Sequence, residues 1–360
     1  MGDDMSKWNF NLDYLEETIK MGNKMLLDKK LSNKMRKKVI MDINVFKNFI
    51  SGKYEVPSEK AIYDDNYSFI KLKKFFLKDA KEHYEFLGVE LINFIINLKK
   101  EDIFNFDNFD FQNVLPVEKQ MELTLENYKK ISNDFYKCAN ELMIDDKVSQ
   151  IQITHDADSY CYYSDIVKLP FLIINPSECN NILNHEVQHA IEIMLNLEIP
   201  TVFSELGSIT LELLFNDKLF EYQNYLSGFD YYDRFDDISC QLDDLSDYFH
   251  LLKKLKTYDF KPNKKEFMDL FSSSIGIKQN DIKLFLIDLL NDCEYDLDIC
   301  YTLSFLKAIE LREQVNNSNC NLMELLNQNY TKFNFLIPND GFKIYERYID
   351  EMKQKTKKHI

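Results

Sequence analysis

Asn184-His185-Glu186-Val187-Gln188-His189 is the stretch on which the reading of this 360-residue chain turns. On an α-helix, residues four apart share a face, so the imidazoles of His185 and His189 can grip one metal ion while the Glu186 carboxylate points beside it. A metal with a carboxylate next to it is a site for activating water. The same letters also arise as an ordinary polar helix face, so the flanking sequence has to supply the rest of a site.

Working outward, Ser177 is a plausible N-cap for a helix running to about Leu197, Pro200 ends it, and a second helix follows from about Thr201 to Tyr222. Upstream the texture is different. Ser149 to Thr154 alternates with period two, Ser159-Tyr160-Cys161-Tyr162-Tyr163 is rich in strand formers, and Leu169 to Asn175 is a short apolar run opened by Pro and closed by Asn-Pro. These predict a small sheet directly before the histidine helix. Elsewhere, from Leu12 to Leu98, from Pro116 to Asp145 and from Leu242 onward, apolar residues recur at spacings of three and four, as amphipathic helices require. Only 8 Gly and 7 Pro are present, which favours long helices over a turn-rich β fold. The expected fold is mostly α, a large helical body with a small β-sheet beside the HExxH helix. Two regions are expected: an N-terminal helical one over 1–148 and one carrying the site over 149–360.

Composition narrows the function. With 45% hydrophobic and 14% aromatic residues the chain can bury a substantial core. Its formal charge of −16 argues against nucleic acid, which needs a concentrated basic surface. The longest apolar run, Phe86 to Leu98, is interrupted and too short for a bilayer, so no membrane partner is expected. Seven scattered cysteines without a CxxC pair, and no apolar leader at the N-terminus, give a cytoplasmic expectation. A Met-Gly-x-x-x-Ser start fits a myristoylation pattern formally, with two aspartates set against it. Oligomeric state is not readable.

A catalytic zinc takes three protein ligands and leaves the fourth position for water. Glu205, 16 residues after His189, is the best third ligand, with Ser208 and Glu212 three and seven residues further on the same helix face. Glutamates on a helix are more often solvated charges, but Phe203, Leu206, Leu211 and Leu214 surround these with apolar residues, which suits an enclosed carboxylate.

HEVQH followed by Phe203-Ser204-Glu205-Leu206-Gly207-Ser208, with Glu212 beyond, resembles the thimet oligopeptidase and oligoendopeptidase F family of zinc metallopeptidases. In that family HExGH precedes a helix reading F-x-E-x-x-S-x-x-x-E, whose first Glu is the third zinc ligand. Ser159-Tyr160-Cys161 and Pro170-Phe171-Leu172-Ile173-Ile174-Asn175 are similar to its A-Y-C and P-F-I-L-M-N segments, in the same order. The resemblance implies a zincin-like oligopeptidase architecture and one Zn2+ per chain on His185, His189 and Glu205. It also implies a peptide or protein substrate lying by β-augmentation along a strand edge formed by Phe171, Leu172, Ile173 and Ile174. The tyrosine-rich stretch Cys293 to Tyr301 is similar to a family segment whose tyrosines and histidine bind substrate. Departures are Gln188 in place of the family's Gly, Glu192 in its histidine-rich turn, a shorter gap before Glu205, and no histidine near Tyr295.

The expected activity is hydrolysis of peptide bonds in oligopeptides by metal-activated water, with Glu186 as general base. Tyr301 or Tyr295 would donate to the oxyanion, the other reading being that both are core aromatics. Ser208 and Glu212 would orient a ligating imidazole. His155, just after a strand, is a substrate-contact candidate or a hydrogen-bonded loop histidine. The alternative function is a zincin-fold binding or regulatory protein with little or no peptidase activity.

Overall fold

The structure is a computed structural model and describes residues 12–53, 63–104, 114–144, 151–153, 158–223, 229–292, 294–317, 320–331, 337–338 and 341–355. His155, the first residues of the chain with their myristoylation pattern, and the expected boundary at 148 lie outside them.

Among the described residues thirteen α-helices surround one small sheet. The chain opens with α1 (Leu12–Leu26) and α2 (Asn33–Ile50), which pack on each other, then α3 (Phe69–Lys100), α4 (Val117–Ile131) and α5 (Asn133–Ile144). α3 is interrupted at Gly88, whose φ of 72° is one that side-chain-bearing residues rarely adopt. Strands β1 (Ile151–Ile153), β2 (Tyr160–Ser164) and β3 (Leu169–Ile174) follow, and then α6 (Ile182–Met194), α7 (Leu206–Gln223) and α8 (Phe229–Thr257). The chain finishes with α9 (Lys264–Ile275), α10 (Ile282–Asp292), α11 (Glu294–Asn317), α12 (Leu322–Thr331) and α13 (Lys343–Lys355). No described helix is long and apolar enough to cross a membrane.

The sheet order is β1-β3-β2, with β1 parallel and β2 antiparallel to β3. β3 is therefore the central strand, and the expectation that it forms the peptide-binding edge is corrected. Phe171, Leu172, Ile173 and Ile174 have no exposed surface. Because side chains alternate across a strand, Phe171 and Ile173 enter one core and Leu172 and Ile174 another. The first core is small and joins the sheet to α1 and α2 through Leu15, Val39, Phe46 and Phe49, with the Phe46 and Phe171 rings 4.9 Å apart. Burying one such ring contributes about 1.5–3 kcal/mol. The second core is the main one, and it draws on α3 to α5 as well as on α6 to α13.

The β2–β3 hairpin is tied to α2 by Asp42, a buried carboxylate. Its oxygens accept from Tyr162 Oη (2.5 Å), Ser164 Oγ (3.0 Å) and the Ile166 backbone N–H (2.9 Å). Gly22 of α1 admits the tip of this hairpin, since a Cβ there would lie 2.6 Å from Ile166 Cδ1.

α6 is shorter than expected at both ends. Asn175 accepts the Ser177 N–H (3.1 Å) in a tight turn, so Ser177 is not the cap, and the helix begins only after Asn181. It ends before Pro200. Asn196 takes the left-handed conformation (φ 50°), with bonds from Asn196 N to Ile193 O and from Leu197 N to Glu192 O that form a Schellman turn.

Candidate metal centre

On α6, His185, Gln188, His189 and Glu192 fall at positions i, i+3, i+4 and i+7, the stripe that an amphipathic helix normally gives to its core side chains. Here the stripe is polar, and His185, Gln188 and Glu192 are buried. Buried polar groups cost stability unless partnered, so the partners define the site.

The facing residues come from the start of α7. A 3-10 turn at Thr201–Phe203 leads into Glu205, whose carbonyl accepts the Ile209 N–H, so Glu205 sits as the capping residue of that helix. Ser208 Oγ donates to the Glu205 carbonyl (3.0 Å) and to its Oε2 (3.3 Å), fixing the carboxylate. His185 Nε2, His189 Nε2 and Glu205 Oε2 then form a triangle with edges of 3.1, 3.4 and 3.3 Å. Ligands held at about 2.0–2.1 Å in a tetrahedron around one ion stand about 3.3 Å apart. The three side chains therefore form a set that can hold a metal ion. Two imidazoles and a carboxylate, with an open side, are a donor set that zinc accepts.

Acidic neighbours surround the triangle and shift its groups. Burial alone would push His185 down, but Glu212 and Glu205 outweigh it and raise it to about 10. Burial alone would push Glu205 up, yet the two histidines hold it far below the ordinary carboxylate range. Glu186 is raised by burial against the opposing pull of His185 and His189, and its Oε1 lies 4.0 Å from His185 Nε2, beside the triangle and not within it. That is where a base acting on a bound water would stand.

The remaining expected residues divide. Glu212 meets His185 Nδ1 in a hydrogen bond, the contact a residue orienting that imidazole would make. Ser208 does not; it holds Glu205. Tyr301 of α11 lines the same cleft as His185, Glu186, His189 and Glu205, a space of about 980 Å³. Tyr295 is absent from the described lining. It is buried and stacks on Tyr248 (3.9 Å, 11°), because six residues along a helix turn it about 120° away from Tyr301. Tyr248 in turn bonds His83 Nδ1 (2.7 Å), whose Nε2 meets Asp296 (2.6 Å), a clip between helices away from the cleft. The cleft wall opposite α6 comes from Tyr160, Cys161 and Tyr163 of β2, with Leu169 and Pro170 of β3. β2 has no second strand partner among the described residues, so the sheet edge at the cleft belongs to β2.

Gln188 and Glu192, which depart from the family pattern, belong to one buried network. Gln188 Nε2 donates to Glu192 Oε1 (3.0 Å), Tyr330 Oη donates to the same oxygen (2.7 Å), and Tyr128 Oη bonds Gln188 Oε1 (3.3 Å). The carboxylate lies so close to α7 that a Cβ at Gly207 would be 1.8 Å from Glu192 Oε1. Sequence reasoning missed Tyr330 and Gly207 as site residues. The polar i, i+3, i+4, i+7 stripe was the available signal for Glu192.

No protein-family model matches this chain, and no curated protein matches it in sequence. Among solved structures, it is similar to a crystal structure described as that of a candidate oligoendopeptidase F from Bacillus anthracis str. Ames. The identity is 13% and the TM-score 0.39, over 89% of this chain and 63% of that one. The chain thus spans less than two thirds of that protein's length, and so loose a likeness leaves the site standing on its own geometry.

Proposed function

We propose that this protein is a zinc-dependent peptidase of the oligopeptidase type, hydrolysing peptide bonds in the cleft between β2 and α6. The observation that carries the reading is the triangle of His185 Nε2, His189 Nε2 and Glu205 Oε2, with edges of 3.1–3.4 Å and Glu186 beside it. His185, His189 and Glu205 would hold a zinc ion, which would supply Lewis acidity to lower the pKa of a water to about 7 and to polarise a carbonyl. Glu186, beside the triangle, is placed to take a proton from a water and to pass it to the leaving amine. Tyr301, on the cleft wall, donates to the oxyanion. The open edge of β2 gives an extended peptide a backbone to pair with, and the apolar Leu169, Pro170, Ile193 and Leu197 give its side chains a surface.

The test is hydrolysis of a quenched fluorescent peptide library by zinc-loaded wild type and by Glu186→Gln. The proposal expects cleavage by wild type and its loss in a variant that retains about one zinc per chain. A metal-loaded wild type that cleaves nothing, or a variant that cleaves equally well, overturns it.

A further inference from the structure

Each ligating imidazole has a second nitrogen, and metal-bound histidines are oriented by what that nitrogen donates to. His185 Nδ1 has Glu212, from the neighbouring helix. For His189 the facing group is Glu192 on its own helix, with Oε2 3.9 Å from Nδ1. Glu192 is held so that this oxygen is presented to the ring: Oε1 is bound by Tyr330 and Gln188, and Gly207 gives the carboxylate room to seat against α7. A glutamine at 192 would accept the same two hydrogen bonds through its carbonyl. What the carboxyl group adds is a second acceptor oxygen, and the group in front of that oxygen is His189.

We infer that Glu192 is a positioning residue of the metal centre. It places a carboxylate oxygen 3.9 Å from His189 Nδ1, favouring the ring orientation in which Nε2 points into the triangle, and it is itself fixed by Tyr330, Gln188 and the absence of a side chain at Gly207. The inference rests on reading His185, His189 and Glu205 as metal ligands. The site then has two carboxylates behind its imidazoles, Glu212 hydrogen-bonded to His185 and Glu192 at ion-pair distance from His189. Tyr330 ties the second of these to α12, remote in sequence from both ligand helices.

The experiment is Co2+ binding to the full-length protein, read by chelator competition and by the visible absorption of the bound ion, for wild type, Glu192→Gln and Tyr330→Phe. Thermal unfolding of the metal-free proteins is followed alongside. Glu192→Gln is expected to weaken Co2+ binding about 10–100-fold and to change the absorption band, and Tyr330→Phe to shift both in the same direction by less. A purely structural Glu192 would lower the unfolding temperature in both variants and leave affinity and spectrum as in wild type, and that result overturns the inference. If Glu192→Gln does not fold, an unchanged affinity and spectrum in Tyr330→Phe overturns it equally. A wild type that binds no Co2+ overturns this inference together with the metal-centre reading, whereas tight wild-type binding with an unaffected Glu192→Gln removes this inference alone.

Discussion

Acidic residues stand at both ends of α7, and the two ends are built differently. Toward its C-terminus, Asp217 receives two bonds from Arg312 (2.8 and 2.6 Å) and one from Lys355 (2.8 Å), while Glu351 takes the other side of the same guanidinium. Two carboxylates face two cations, and charge balances within the protein. At its N-terminal end Glu205 and Glu212 join Glu186 and Glu192 of α6, and the partners shown for these four are two imidazoles, two hydroxyls and an amide. The first cluster is complete as a piece of architecture. The second gathers four carboxylates around two imidazoles, and three of its side chains, His185, His189 and Glu205, form a set that can hold a metal ion.

The contrast can be broken most sharply at the ligand end. His185→Ala should lose both metal and peptide cleavage, whereas Glu186→Gln should keep the metal and lose about 10²–10⁴ in rate, as metal analysis beside a peptide assay would show. If the two variants behave alike, the division between ligand and base is wrong. At the other end, Arg312→Met leaves Asp217 and Glu351 with one cation between them. It should cost about 3–5 kcal/mol in urea unfolding while metal stoichiometry stays at one.

Tyr301→Phe should lower kcat by about 10²–10³ with little change in stability. Tyr295→Phe, on the buried face of the same helix, should leave kcat within about twofold, since the Tyr295 ring is buried against Tyr248 and does not line the described cleft. Equal effects on kcat would show that the cleft does not discriminate between them.

The smallest effect is on pH dependence. Burial pushes the Asp217 carboxyl up, but Arg312 and Lys355 outweigh it and hold it below its ordinary value. A carboxyl depressed on folding contributes stability that is fully present above its unfolded pKa and lost as pH falls through the folded one. Urea midpoints between pH 7 and pH 3 should therefore fall less steeply for Asp217→Asn than for wild type.

What could be read from the chain was what helical periodicity encodes. HEVQH and Glu205-x-x-Ser208-x-x-x-Glu212 declare their faces by spacing alone, and the mostly helical fold with its small sheet follows from local patterns of the same kind. What could not be read depends on partners distant in sequence. The central position of β3 is a matter of which strand pairs on its far side, which alternation does not carry. Tyr330 reaches Glu192 across 138 positions, and Gly207 looks like any helical glycine until the carboxylate above it is seen. Ser177 and Pro200 were reasonable punctuation, overruled by an Asn175 turn and by Asn196, both of which act through hydrogen bonds that nearby residues complete.

The hairpin wall of the cleft is fastened on the side away from the metal, by Asp42 and by the seat that Gly22 leaves for Ile166. The small core behind it is distinct from the one that supports α6 and α7. The α1–α2 pair thus works as a backplate whose detachment can be separated energetically from the ligand helices. Under the proposed function, slackening it would alter the width of the cleft at Tyr160 and Tyr163 while leaving His185, His189 and Glu205 where they are, so breadth of substrate could vary independently of the chemistry.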